Sequence, residues 1–159
     1  RHGIKTMKGG YLLITITLLL TMISSVEGWV LLTTPISALS LNPITRPLFT
    51  YFITLQTIVV GVLYKRKNIK PLLAFIGVAS LVLLDIYSMY NDAFLHNIFA
   101  VIFFLIQPII FFVEYKKKSD TYALSKGVFL SVLIILTWQG ILPLPIYEFI
   151  AYGALIMFL

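Results

Sequence analysis

Six long apolar segments dominate the sequence, and their length constrains the fold more than any other feature. They cover residues 11–33, 47–64, 71–90, 95–115, 122–142 and 145–159. An α-helix needs about 20 apolar residues to cross the roughly 30 Å of hydrocarbon in a membrane. Residues 98–106 are apolar throughout and show no alternation of polar and apolar side chains, which argues against membrane strands. We therefore predict an all-α integral membrane protein: one domain over residues 1–159, built as a bundle of six transmembrane helices.

Composition supports a membrane environment and removes several kinds of chemistry. Hydrophobic residues make up 60% of the chain and charged residues 11%, whereas soluble domains average roughly 45–50% apolar and about 25% charged residues. The chain contains no cysteine, which excludes disulfides, thiolate metal sites and thiol nucleophiles. We expect no cofactor.

The basic residues indicate how the helices are oriented. Eleven of the twelve lysines and arginines fall on one side of the membrane if the six segments are counted as spans. These are Arg1, Lys5, Lys8, Lys65, Arg66, Lys67, Lys70, Lys116, Lys117, Lys118 and Lys126. Because lysine and arginine accumulate on the cytoplasmic side, both termini are predicted to be cytoplasmic. Topology, together with contact to anionic membrane lipids, accounts for the basic runs, so no nucleic-acid partner is expected.

Polar residues inside the spans concentrate at the opposite, outer half of the predicted bundle. An ionisable side chain within a span costs roughly 2.5–3.5 kcal/mol on insertion scales, so each one requires a partner or a cavity. We predict a cluster of polar side chains there, formed by Glu27, Arg46, Asp85, Asp92, His96, Gln139 and Glu148.

Three interpretations of this outer cluster are open. The first is structural: the acids bind Arg46, backbone amides and water, and so hold the outer helix ends together. The second is a pocket for a lipid headgroup or another polar ligand. The third is a metal or proton site made from Glu27, Asp85, His96 and Glu148. Their spacing matches no metal-binding motif, so no metal is predicted.

Catalytic motifs are absent from the sequence. It has no Gly-x-Ser-x-Gly elbow, no His-Glu-x-x-His and no phosphate-binding glycine-rich loop. We therefore predict no catalytic residue. Gln107, next to Pro108 in the fourth segment, is predicted to form a hydrogen bond to a neighbouring helix. Small residues such as Gly77 and Gly127 are expected to let helices approach closely.

Three short motifs resemble a known family of membrane proteins. They are Thr34-Pro35-Ile36-Ser37 in the first outer loop, His96-Asn97-Ile98-Phe99-Ala100-Val101-Ile102-Phe103-Phe104, and Tyr147-Glu148-Phe149. The chain is similar to the six-helix superfamily of damage-regulated autophagy modulators, the fibroblast-growth-factor-receptor-activating protein, yeast Sfk proteins and related prokaryotic proteins. The resemblance implies a role in lipid organisation, lipid-anchor handling or trafficking. It also implies that the Pro-Ile-Ser loop, His96 and Glu148 belong to the family's site.

From these observations we predict a non-enzymatic multi-pass membrane protein. Its outer polar cluster would bind or organise a lipid headgroup or a protein partner. The alternative is a small hydrophobic accessory subunit of a larger membrane complex, such as a respiratory assembly. A transporter or a membrane enzyme is the third interpretation.

Overall fold

A computed structural model of the chain describes residues 2–24 and 35–159, with side chains for 7–21 and 35–159. This part of the chain is helical and contains no strand. The α-helices are α1 (His2–Ser24), α2 (Arg46–Arg66), α3 (Pro71–Ile86), α4 (Met89–Lys118), α5 (Thr121–Trp138) and α6 (Leu144–Phe158). A short 3₁₀ helix, Ile36–Leu41, precedes α2. The predicted all-α class is confirmed at this level.

Three of the helices are long and apolar enough to cross a membrane. They are α2, α4 and α5. Shorter apolar stretches, of 10–17 residues, occupy residues 7–21 of α1, the whole of α3 and the whole of α6. At 1.5 Å per residue, the 16 residues of α3 extend roughly 24 Å, somewhat less than the hydrocarbon thickness.

The helices pack as a closed bundle. Each one contacts its successor in the sequence, and α6 also contacts α1 and α2. Fully buried aromatic side chains fill the centre, where Phe52 of α2 and Phe103 of α4 both contact the ring of Tyr152 on α6. Helix α2 therefore lies centrally, between α1, α3 and α6.

Hydrogen bonds between buried side chains also join α2 to its neighbours. The Tyr64 hydroxyl donates to Gln107 Oε1 on α4 at 2.7 Å, which confirms the interhelical bond predicted for Gln107. The amide of Gln107 donates to the Phe103 carbonyl. In the same way, Gln56 Nε2 donates to Thr15 Oγ1 on α1 at 2.9 Å. Such bonds fix how each helix is rotated about its axis, and how far it is shifted along that axis, relative to its neighbour.

Two glycines make room for aromatic rings. A Cβ added to Gly77 would lie 2.6 Å from the Tyr64 hydroxyl oxygen, and one added to Gly127 would lie 2.8 Å from a ring carbon of Phe112. The predicted close approach therefore occurs here, between a helix backbone and a side chain of the neighbouring helix.

Several helix boundaries depart from the predicted ones. Helix α5 ends at Trp138 instead of residue 142, and Gly140, with a φ of +75°, lies just after its end. Helix α1 begins at His2, and the predicted stretch 25–33, which includes Glu27, lies outside the described residues. Helix α3 ends at Ile86 instead of residue 90, since Tyr87 and Ser88 leave the helical conformation. Helix α4 begins at Met89, but Asp92 has an extended φ of −157° and its carboxylate accepts from the Leu95 amide at 3.1 Å. Asp92 thus caps the longer part of α4, close to the predicted start at residue 95.

Candidate functional site: a cavity between helices α2 to α6

The outer loop before α2 is folded onto the helix ends. Its 3₁₀ helix buries Ile36 and Leu39 almost completely. Thr45 Oγ1 donates to the Leu39 carbonyl at 2.6 Å, and Arg46 Nε donates to the Ser40 carbonyl at 2.9 Å. A loop rich in apolar residues is expected to pack on the helix ends instead of extending into solvent, and its described part, residues 35–45, does so.

Glu148 connects this loop to α6. The residue lies in the first turns of α6, buried beneath the 3₁₀ helix. Its Oε1 atom accepts a hydrogen bond from the backbone amide of Ile36 at 3.2 Å. A carboxylate accepts strongly from backbone amides, and here it satisfies one of the amides that begin the 3₁₀ helix.

His96 connects α4 to the end of α3. Its ring is buried, and Nδ1 lies 3.0 Å from the carbonyl oxygen of Tyr87. Because a carbonyl can only accept, the hydrogen bond assigns the proton to Nδ1. The imidazole is thereby held in one orientation.

His96 and Glu148 line the same cavity, which has a volume of about 510 Å³. Its walls come from the 3₁₀ helix and from α2, α3, α4, α5 and α6. Most of the lining is apolar, and its described side chains with a polar atom are Ser37, His96, Asn97, Thr137, Trp138, Tyr147, Glu148 and Tyr152. Small-molecule sites usually combine a largely apolar surface of this size with a few fixed polar groups.

Aromatic side chains and one small residue create the space. Phe104 of α4 packs against Tyr147 and Tyr152 of α6, with ring centroids 5.1 and 5.6 Å apart. His96, Ala100 and Phe104 follow at intervals of four, so they share one face of α4. Since Ala100 lies between two rings on that face, its short side chain leaves room between α4 and α6.

The lining has a clear chemical preference. Among the residues that the structure describes, it contains one carboxylate and one histidine, and no lysine or arginine. A phosphate placed here would meet a buried acid without a basic counterpart, which is unfavourable. Hydroxyl or amine groups, which donate hydrogen bonds, suit Glu148, and an apolar body suits the walls.

Comparison with known proteins identifies no relative. No family model matches the sequence, and neither the curated proteins nor the solved structures give a significant match.

Three of the other predicted site residues, Arg46, Asp85 and Asp92, have local partners in the structure. Asp85 Oδ2 accepts from Thr54 Oγ1 of α2 at 2.9 Å. Asp92 caps α4, and Gln139 follows the last turn of α5 as an exposed residue. The Arg46 guanidinium stacks on the ring of Tyr90, 3.4 Å from its centroid. Of the predicted cluster, the structure thus brings His96 and Glu148 to one cavity, and Glu27 lies outside the described residues.

Several cavity residues were missed in the sequence, notably Asn97, Thr137, Tyr147 and Tyr152. A usable signal was present for some of them. Glu148 and Tyr152 are four residues apart, as are Asn97 and Val101, and all four line the cavity. Among the described side chains, no group of three acids or histidines is placed to hold a metal ion.

Proposed function

We propose that the chain is a non-enzymatic, six-helix, multi-pass membrane protein whose cavity binds an amphipathic lipid. The headgroup of this lipid would donate hydrogen bonds to Glu148 and its apolar part would lie along α4 and α5. The proposal includes membership of the six-helix superfamily that the His96 and Glu148 motifs resemble.

One observation carries the proposal: a buried acid and a buried histidine lie in the wall of an otherwise apolar cavity of about 510 Å³. Buried ionisable groups in membrane helices are costly and usually mark a ligand or ion site. The volume is within the usual range of roughly 300–1,000 Å³ for ligand pockets.

The proposed topology places the cavity in the outer half of the membrane. His96 and Glu148 lie near the first turns of α4 and α6, whereas Lys116, Lys117 and Lys118 lie in the last turn of α4. Under the positive-inside rule the lysine end is cytoplasmic and the cavity end is not. The shorter helices α3 and α6 would span by local thinning of the bilayer.

A change at the mouth of the cavity tests the proposal. Val101 lines the cavity and is half exposed, so a larger side chain there is expected to fit without disturbing the core. Val101→Trp should lower photo-crosslinking by a photoreactive diacylglycerol about tenfold, equivalent to about 1.4 kcal/mol of binding. The measurement is the crosslinked fraction of the purified chain in phosphatidylcholine nanodiscs.

Ile109→Trp is the matched control. Ile109 lies on the same helix with a similar exposure and does not line the cavity. Its crosslinking should equal that of the unmodified chain. Equal crosslinking of both variants and the unmodified chain would show that the diacylglycerol contacts the outer surface only, contrary to the proposal.

A protein partner remains the second candidate because large apolar side chains are exposed at the cavity end. Phe94, Trp138 and Ile141 are 73%, 87% and 67% exposed. Aromatic residues at this depth also suit the membrane interface. A partner covering them would make the chain an accessory subunit, which the native mass of the extracted protein distinguishes.

A further inference from the structure

The lysines at the opposite end of the bundle converge on a second, smaller cavity. It has a volume of about 110 Å³ and lies where the turn between α2 and α3 meets the last turns of α4. Four lysines and one acid are among its lining residues: Lys67, Lys70, Lys117, Lys118 and Glu114. Their side chains give it a formal net charge of +3.

Lys67 is the most enclosed of these lysines. It follows the last turn of α2, and its Nζ lies 5.9 Å from the centroid of the Phe111 ring. Lys126 Nζ of α5 lies 5.6 Å from the same centroid. Partial burial, together with the positive charge of Lys126, lowers the pKa of Lys67 from its ordinary value. Lys8 of α1 is also close enough to Lys67 for their charges to interact.

Glu114 compensates only part of this charge. Its Oε1 atom lies 3.5 Å from Lys118 Nζ, one turn further along α4. Its Oε2 atom is buried and has no hydrogen-bond partner within the described part of the chain. One carboxylate therefore faces four lysines of the α2–α3 turn and α4, so the cavity keeps an excess of positive charge. Lys67 is the one of these lysines that is partly buried.

The start of α3 adds to the positive potential. Pro71 is the first residue of α3, and Lys70 and Leu73 line the cavity. Pro71 has no N–H, so the amides that this turn can offer to a ligand are those of Leu72 and Leu73. Amides at a helix N-terminus favour an anion, and ammonium groups around them strengthen this preference. Membrane topology explains why lysines occur on this side, but it does not require them to converge from separate elements on one cavity.

We propose that this basic cavity binds a phosphate monoester through Lys67, Lys70 and Lys117, at the α3 N-terminus. The site is independent of the lipid cavity at the other end of the bundle. A monoester carries up to two negative charges at neutral pH, so it neutralises more of the cluster than a diester does. Either a membrane lipid such as phosphatidic acid or a soluble phosphate could supply this group.

Thermal unfolding of the full chain in dodecyl maltoside at pH 7.5 tests this site. A ligand that binds the folded state raises the unfolding temperature in a saturable way. The probes are inorganic phosphate and phosphatidic acid, with phosphatidylcholine and equal ionic strength of chloride as references. Saturable stabilisation by phosphatidic acid alone identifies a lipid source, and equal stabilisation by inorganic phosphate identifies a soluble one.

Two matched variants distinguish anion binding in this cavity from a general effect of surface charge. Lys67→Gln removes an ammonium group from the cavity, whereas Lys65→Gln removes one from an exposed residue on the same turn that does not line it. We expect Lys67→Gln to weaken the anion's affinity about tenfold, because a charge-assisted hydrogen bond is lost. Lys65→Gln should change it less than about twofold, since exposed charges are screened.

Two further measurements distinguish a loss of anion binding from a folding defect of the variant. Without the anion, Lys67→Gln should unfold at the same temperature as the unmodified chain or a higher one, because the repulsion from Lys126 is removed. Glu114→Gln should tighten anion binding, since it removes the acid from the cavity. An equal loss of affinity in Lys65→Gln and Lys67→Gln, or stabilisation by chloride equal to that by phosphate and phosphatidic acid, would overturn the proposal.

Discussion

Replacing Gly77 with alanine is expected to destabilise the protein strongly. The new Cβ would lie 2.6 Å from the Tyr64 hydroxyl oxygen, a distance that carbon and oxygen do not tolerate. Tyr64 is almost completely buried and is bound to Gln107, so its movement would break that hydrogen bond. Overpacking and a lost buried hydrogen bond, less the better helix propensity of alanine, amount to about 2–4 kcal/mol. Thermal unfolding in detergent should show a decrease on the order of 5–15 °C.

Gly61→Ala provides the matched control for this prediction. Gly61 lies in α2, and an added Cβ would meet only Val78 Cγ2, at 3.8 Å, which is ordinary van der Waals contact. The same chemical change should therefore leave stability unchanged or raise it by up to about 1 kcal/mol. If Gly77→Ala unfolded at the same temperature as Gly61→Ala, the Tyr64 side chain of α2 would not be packed tightly against α3 and α4, contrary to the structure.

Replacing Glu148 with leucine is expected to release the outer loop from α6. The Ile36 amide, which donates to Glu148 Oε1, lies in a residue that is only 1% exposed, so it would lose its partner without gaining water. Leaving a buried amide without a hydrogen-bond partner costs roughly 1–3 kcal/mol. Hydrogen exchange followed by mass spectrometry should show faster exchange across Ile36–Leu41, with an unfolding temperature lower by several degrees.

Glu148→Gln separates the hydrogen bond from the charge. The carboxamide keeps an oxygen that can accept from Ile36, so exchange across the 3₁₀ helix should remain close to that of the unmodified chain. If the amides of Ile36–Leu41 exchanged at the same rate in the leucine and glutamine variants, Glu148 would not anchor the loop.

The existence of the helices could be predicted from the sequence because apolar segments of this length have few alternatives. Proline at the start of α3, and proline within the first turn of α2 and α6, marked three helix starts correctly. The end of α3 could not be placed, because the hydropathy of Tyr87 and Ser88 does not interrupt the apolar run. Ser88, the residue just before α4, was a local signal for the break between α3 and α4, because serine is favoured at the start of a helix.

The composition of the cavity could be predicted only in part. The sequence predicted His96 and Glu148 at the same end of the bundle, and in the structure both line one cavity. Depth alone could not assign Asp85, whose carboxylate bonds to Thr54 on α2 and is absent from the cavity lining. Whether Asp85 faces the cavity depends on the rotation of α3 about its axis. That rotation cannot be read from the sequence of a helix that is apolar on every face.

The native mass of the protein after gentle detergent extraction shows whether the cavity holds a lipid. We expect the 18.0 kDa chain to be released without other subunits and to carry one bound lipid of neutral or amine-bearing headgroup. Val101→Trp should lose this lipid and Ile109→Trp should keep it. Recovery of the chain only within a larger assembly of other proteins, with no lipid lost on Val101→Trp, would contradict the lipid-binding cavity and favour an accessory subunit.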